Sequence, residues 1–164
     1  MMQYMDIFFK TVTWAGSILL LFPLSLLIAA PLAARERQLD AMLIIGGLMG
    51  SCFLTHILKR VFARPRPDVE ELLVAMPPDF SFPSAHTAQI VAFTFACAIV
   101  IGQNAPAVTA LFAWWILGLL AVSVAASRVW LHVHYLSDVL AGAIVAGAWV
   151  MALNWLLRWG RHLG

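Results

Sequence analysis

Apolar residues run along this chain in five long blocks, about Trp14–Ala34, Ala41–Phe62, Ala85–Ile101, Val108–Ser127 and Val139–Trp159. Charged residues fall almost entirely between them. Each block holds ~17–22 residues, the length that carries a helix across a bilayer's hydrocarbon. Hydrocarbon offers unpaired backbone groups no partner, so uninterrupted blocks of this kind predict helices rather than barrel strands. The expected fold is an all-α integral membrane bundle of five transmembrane helices, with room for a sixth. It forms a single domain over 1–164 with its core at 41–159. Lys10 before the first block and the alanines that end it resemble a signal peptide, but a signal's apolar stretch covers only about 7–15 residues. The block is therefore read as a retained helix. Met1–Phe9 either lies in the membrane interface or extends that helix.

Composition sharpens the reading. Of 164 residues, 63% are hydrophobic and 11% charged, and the mean hydropathy is +0.91. Soluble domains carry about 45–50% apolar and about 25% charged residues. A water-soluble globule, a disordered chain and a disulfide-stapled module are all excluded. A net charge of +2 gives nucleic acid no footprint. Cys52 and Cys97 lie inside apolar blocks and read as buried thiols. Small residues at helical spacing, Gly46/Gly50 and Ala143/Gly147, suit tight packing within the bundle, with a homodimer through those faces as the alternative.

Most connections are short. The loop at 64–83 is long and punctuated by Pro65, Pro67, Pro77, Pro78 and Pro83, and a loop of that length is usually functional or disordered. Three polar clusters lie in or beside loops: Lys59–Pro67, Pro83–His86 and Ser127–Asp138. If the five blocks alternate, the connections after the second and fourth emerge on the same side, and the clusters meet at one membrane surface.

Lys59, Arg66 and Arg128 are cations at or near membrane depth, where ionic side chains mark a site or snorkel to the interface. Snorkelling suits Arg60 and Arg64. It suits Arg66 less, because Pro65 and Pro67 restrict its backbone on both sides. Ser84 is placed to N-cap the third helix, whose free N–H groups and dipole would attract an anion. His86 falls in that helix's first turn. His134 and Asp138 are four apart, so in a helix the carboxylate would reach the imidazole and raise the basicity of its other nitrogen. His132, His134 and Asp138 are also metal-ligand types, but three nearby cations would repel a divalent ion. His56 reads as a packing residue. Together the clusters describe a pocket for a tetrahedral anion, with a nucleophile and a proton donor beside it, the inventory of phosphoryl transfer.

These residues resemble the three motifs of the type 2 phosphatidic acid phosphatase superfamily, the membrane histidine phosphatases related to vanadium haloperoxidases. Lys-x6-Arg-Pro is matched by Lys59 and Arg66-Pro67. Pro-Ser-Gly-His is matched by Pro83-Ser84-Ala85-His86, with alanine in place of glycine. Ser-Arg-x5-His-x3-Asp is matched by Ser127-Arg128, His134 and Asp138. The resemblance implies that His134 is the nucleophile, Asp138 orients it and His86 is the general acid and base. It implies that Lys59, Arg66, Ser84, the Ala85 backbone amide and Arg128 bind phosphate, with no metal and no cofactor. The implied activity is hydrolysis of a lipid phosphate or diphosphate such as phosphatidate, phosphatidylglycerophosphate or undecaprenyl diphosphate, through a phosphohistidine. The partners are then the bilayer and its lipid. A silent lipid-phosphate binder or transporter, or a metal-dependent membrane hydrolase, are the competing classes. Head-group choice would depend on Val69–Phe80.

Orientation follows from the basic residues. Arg35, Arg37, Arg158 and Arg161 stand on one face, and Lys10, Lys59, Arg60, Arg64, Arg66 and Arg128 on the other. A raw count places the clusters in the cytoplasm. Setting aside Lys59, Arg66 and Arg128 as site residues reverses the balance. The expected location is a bacterial inner membrane with the site on its outer face.

Overall fold

The computed structural model describes residues 2–69 and 73–159. Helix α1 (Met2–Val12) leads through a 3-10 turn (Thr13–Gly16) to α2 (Ile18–Ala34). Then follow α3 (Gln38–Phe62), α4 (Ala85–Asn104), α5 (Ala107–Trp130) and α6 (Leu136–Trp159), with no strand among the described residues. Helices α3 to α6 are each long and apolar enough to cross a membrane. The segment Met2–Gly16 meets α2 at 50°, and by length and composition the bent pair counts as a fifth, broken span or a re-entrant segment. The protein is an all-α membrane bundle.

The first span differs from the continuous block expected at Trp14–Ala34. Ser17 is extended (φ −77°, ψ 136°), and its hydroxyl accepts from the Leu19 amide at 3.3 Å, so a new helix starts there. A serine N-cap breaks the helix without breaking the apolar pattern. Helix α1 has 11 residues, about 16 Å of rise, which is too short for a sixth span. Met1 lies outside the described residues, and the rest of the Met1–Phe9 segment, Met2–Phe9, therefore belongs to a separate short helix. It is tied to α5 by the Trp130 indole N–H, which donates to Asp6 at 2.9 Å, and by the Phe9 ring beside Trp130.

Helix α4 is the centre of the bundle and packs against α2, α3, α5 and α6. Lipid tails are as apolar as leucine, so contact among these helices rests on close packing of small residues. Ala88, Ala92 and Ala96 line the buried side of α4. A Cβ built on Gly47 would lie 3.3 Å from Val150 and 3.6 Å from Ala96, where α3, α4 and α6 meet. Gly46 and Gly50 face α6: the Trp149 indole occupies the space over Gly50 and donates to the Gly46 carbonyl at 2.9 Å. That small-residue face is used inside the bundle. Nothing stands within 4 Å of a Cβ on Gly147, so the Ala143/Gly147 face is open.

The helices alternate in direction. On one face Asp40, at the start of α3, pairs with Arg37 at 2.8 Å and with Arg158, near the end of α6, at 3.8 Å. Arg161 lies outside the described residues. On the other face the end of α3, the starts of α4 and α6 and the end of α5 converge, and the three polar clusters meet there as expected.

Candidate functional site

Helix α3 ends at Ala63, which takes a left-handed conformation (φ 42°), its amide bonded to the Lys59 carbonyl at 3.0 Å. This turn sends the proline-rich loop back across the bundle. The Ser81 amide then bonds the Arg64 carbonyl at 2.8 Å and closes the loop on itself. At the end of α5, the amides of Val133 and His134 bond the Arg128 carbonyl at 3.3 and 3.2 Å, and His132 is left-handed (φ 58°). His134 therefore sits in a tight turn just before α6, which starts at Leu136. Asp138 is in the first turn of α6, and its Oδ2 accepts from the Tyr135 amide at 2.9 Å.

His134 and Asp138 are both buried. His134 Nδ1 lies 3.4 Å from Asp138 Oδ2, and the Ser81 hydroxyl bonds that same oxygen while standing 3.3 Å from Nδ1. The carboxylate thus reaches the imidazole together with Ser81, not alone. On the other side of the ring, Nε2 faces the Arg66 guanidinium at 3.1 Å. An arginine can only donate, so Nε2 is the acceptor and the proton sits on Nδ1. Burial first, then the charges of Arg66, Arg128 and Lys59, push this imidazole well below the ordinary histidine range. It is neutral at pH 7, with its Nε2 lone pair turned to the Arg66 guanidinium.

Lys59 and Arg66 converge on Asp79. Lys59 Nζ stands 3.0 Å from one carboxylate oxygen and also donates to the Phe80 carbonyl. Arg66 pairs with the other oxygen and donates to the carbonyls of Asp79 at 2.9 Å and Val133 at 2.8 Å. Burial tends to raise the Asp79 carboxyl, but hydrogen bonds from Arg66 and Lys59 prevail and hold it below the usual carboxylate range. Arg128 is buried and donates to Thr13 in the 3-10 turn at 2.6 Å, while its Nε has no partner among the described residues.

Ser84 stands at the N-cap of α4 with extended backbone, but its hydroxyl makes no cap bond and instead accepts from Thr87 at 3.1 Å. Its amide donates to the Asp138 carbonyl at 2.9 Å, which fastens the start of α4 to α6. The expected side-chain cap bond is not made, and the hydroxyl is bonded to Thr87 rather than to a backbone amide of the first turn. His86 lies in the first turn of α4 with its backbone against Gly16, where a Cβ would fall 3.0 Å from the His86 carbonyl. Ala85 is partly exposed beside it.

Three further residues belong to this site. Arg64, expected to snorkel, bonds Asp138 Oδ1 and the Ser137 hydroxyl, each at 2.7 Å, and stacks on Tyr135 with 4.0 Å to the ring centre. Ser81 and Thr13 carried no signal beyond being polar near apolar blocks. His132 is exposed and lines a cavity with Trp130 and Leu136, and among the described residues no three ligand-type side chains cluster for a metal. His56 is on the exposed side of α3, not packed inside.

A membrane helical bundle carrying a buried histidine amid cations at one surface is the class these features define. The chain belongs to the PAP2 superfamily, whose family model matches residues 40–161. Phosphatidylglycerophosphatase B of Bacillus subtilis is 30% identical over 133 residues, 80% of this chain and 64% of that protein. Undecaprenyl-diphosphatase of Sulfolobus acidocaldarius is 33% identical over 129 residues, 73% of this chain and 55% of that protein. The chain thus spans somewhat more than half the length of these curated relatives. The crystal structure of a transmembrane PAP2 type phosphatidylglycerolphosphate phosphatase from Bacillus subtilis is similar over 97% of this chain and 77% of that one. Its TM-score is 0.81 and its identity 27%.

Proposed function

We propose that the chain is a membrane lipid phosphatase or diphosphatase working through a phosphohistidine at His134. The observation that carries this reading is the neutral His134 ring, with Nδ1 backed by Asp138 and Ser81 and Nε2 open toward Arg66. Nε2 attacks phosphorus and the bond to the lipid oxygen breaks, with His86 giving that oxygen its proton. Water then attacks the phosphohistidine, His86 takes a proton from it, and inorganic phosphate leaves. Lys59, Arg66 and Arg128, with backbone amides at the start of α4 about Ala85 and the Ser84 N-cap, neutralise the phosphoryl oxygens. The relatives' names support a lipid phosphate carrying a terminal phosphoryl group. A bundle that leaves the tails in the bilayer and the site at its surface suits such a substrate. The site's place on the outer face of a bacterial inner membrane rests on the balance of basic residues.

Phosphate release by the purified protein from a panel of lipid phosphates, in EDTA and with vanadate as inhibitor, tests the reading. Release in EDTA that vanadate suppresses is the expected result. Release that requires an added divalent ion contradicts it, as does binding of these lipids without release.

A further inference from the structure

Lys59 and Arg66 are not free to receive a phosphoryl group as the molecule stands. One carboxylate, Asp79, holds both: Oδ2 lies 3.0 Å from Lys59 Nζ, and Oδ1 pairs with Arg66 Nη2. The neighbouring carbonyls take further donors, with Arg66 Nε bonding the Asp79 oxygen at 2.9 Å and Lys59 bonding that of Phe80. A carboxylate across a cationic fork uses the geometry by which the same fork grips two phosphoryl oxygens. The two acidic groups around His134 also differ in position. Asp138 is fully buried behind the ring, whereas the Asp79 side chain is 49% exposed at the mouth. It can swing into water without leaving a charge stranded in the protein.

Charge decides what can displace it. A terminal phosphate brings about −1.5 to −2 at pH 7. A phosphodiester brings one negative charge, the same as the carboxylate it would replace. Exchanging Asp79 for a terminal phosphate raises the negative charge facing Lys59, Arg66 and Arg128, and exchanging it for a diester does not. Phosphodiester head groups of ordinary phospholipids surround any site at a membrane surface in large excess.

We infer that Asp79 is a specificity-determining residue, a built-in competing anion that terminal phosphate groups displace from Lys59 and Arg66 and that phosphodiester head groups do not. The inference rests on the lipid-phosphatase reading and names what that site rejects.

Calorimetric binding of orthophosphate to the purified full chain in detergent needs no turnover and tests it directly. Asp79→Asn is compared with wild type, with Asp79→Glu as the charge-preserving variant and Asp68→Asn as a control for general loop charge. In Asp79→Asn, orthophosphate should bind about tenfold more tightly or better, and phosphatidylglycerol in the micelles should compete with it. Wild type, Asp79→Glu and Asp68→Asn should ignore phosphatidylglycerol. Unchanged orthophosphate affinity in Asp79→Asn overturns the inference, and so does continued exclusion of phosphatidylglycerol. If wild type releases lipid phosphate and Asp79→Asn still behaves like it, only the role of Asp79 fails. If wild type neither binds orthophosphate nor releases lipid phosphate, the phosphatase reading fails with it.

Discussion

Arg64 Nη1 lies 2.7 Å from Oδ1 of Asp138, whose other oxygen faces His134 with Ser81 between them. The buried carboxylate is therefore held from both sides, by a cation at the surface and by a hydroxyl beside the imidazole. Hydrogen bonds to charged groups contribute about 1.5–3 kcal/mol. Arg64→Ala should accordingly lower turnover by about ten- to a hundredfold. Arg64→Lys should recover part of it by restoring the charge without the fork. Steady-state kinetics on both variants check this; wild-type turnover in Arg64→Ala would return Arg64 to the snorkelling role its sequence position suggested.

Asp138→Asn keeps the side chain's shape but removes the charge that fixes the Nδ1–H tautomer. Turnover should fall on the order of 10²–10⁴-fold, by analogy with the orienting aspartate of a serine-protease triad. Affinity for orthophosphate should change little, because Lys59, Arg66 and Arg128 remain. Turnover, phosphate affinity and melting temperature on one preparation distinguish this outcome from a structural one, in which stability alone falls.

Gly142 and Gly16 set how closely α6 and the 3-10 turn approach α4. A Cβ on Gly142 would fall 2.7 Å from the Ser84 carbonyl oxygen, a backbone atom that cannot rotate away. Gly142→Ala should cost about 1–3 kcal/mol of stability by overpacking. It should also displace the start of α4, with turnover falling more than thermal stability would explain. Gly147→Ala, with nothing nearby, should leave both unchanged. Thermal unfolding in detergent and turnover check the pair.

His134 titrates below an ordinary histidine because it is buried among Arg66, Arg128 and Lys59. The nucleophile is active when unprotonated, so the acid limb of kcat/KM assigned to it should lie below the usual imidazole value of about 6.5. Stability follows the same sign. Below about pH 6.5 the unfolded chain takes up a proton that the folded chain refuses, so this histidine's contribution to stability is lost as pH falls. A pH–rate profile with a His134-dependent limb at or above that value would contradict the environment described here.

Much of this was legible in the chain because two signals are local. Apolar block length gives helices α3 to α6 to within a few residues, and alternation then gathers Lys59, His86, Arg128 and His134 at one end. The break at Ser17 was hidden because a polar N-cap inside an apolar block barely alters its hydropathy. Arg64, Ser81 and Asp79 were hidden for a different reason. Their partners lie far away in sequence, and only the left-handed turn at Ala63 and the loop's return bring them onto Asp138 and Lys59. The four-residue spacing of His134 and Asp138 would bring them together if the segment were helical, whereas here a turn ending on the Arg128 carbonyl does the positioning.

The most direct test of the account is to trap the covalent intermediate. Purified protein is mixed with a lipid phosphate carrying a labelled terminal phosphoryl group, quenched in alkaline denaturant and mapped by mass spectrometry. An acid-labile, alkali-stable phosphoryl group on His134, missing from His134→Ala, is the result predicted. Label on another residue, or full turnover by His134→Ala, would contradict it.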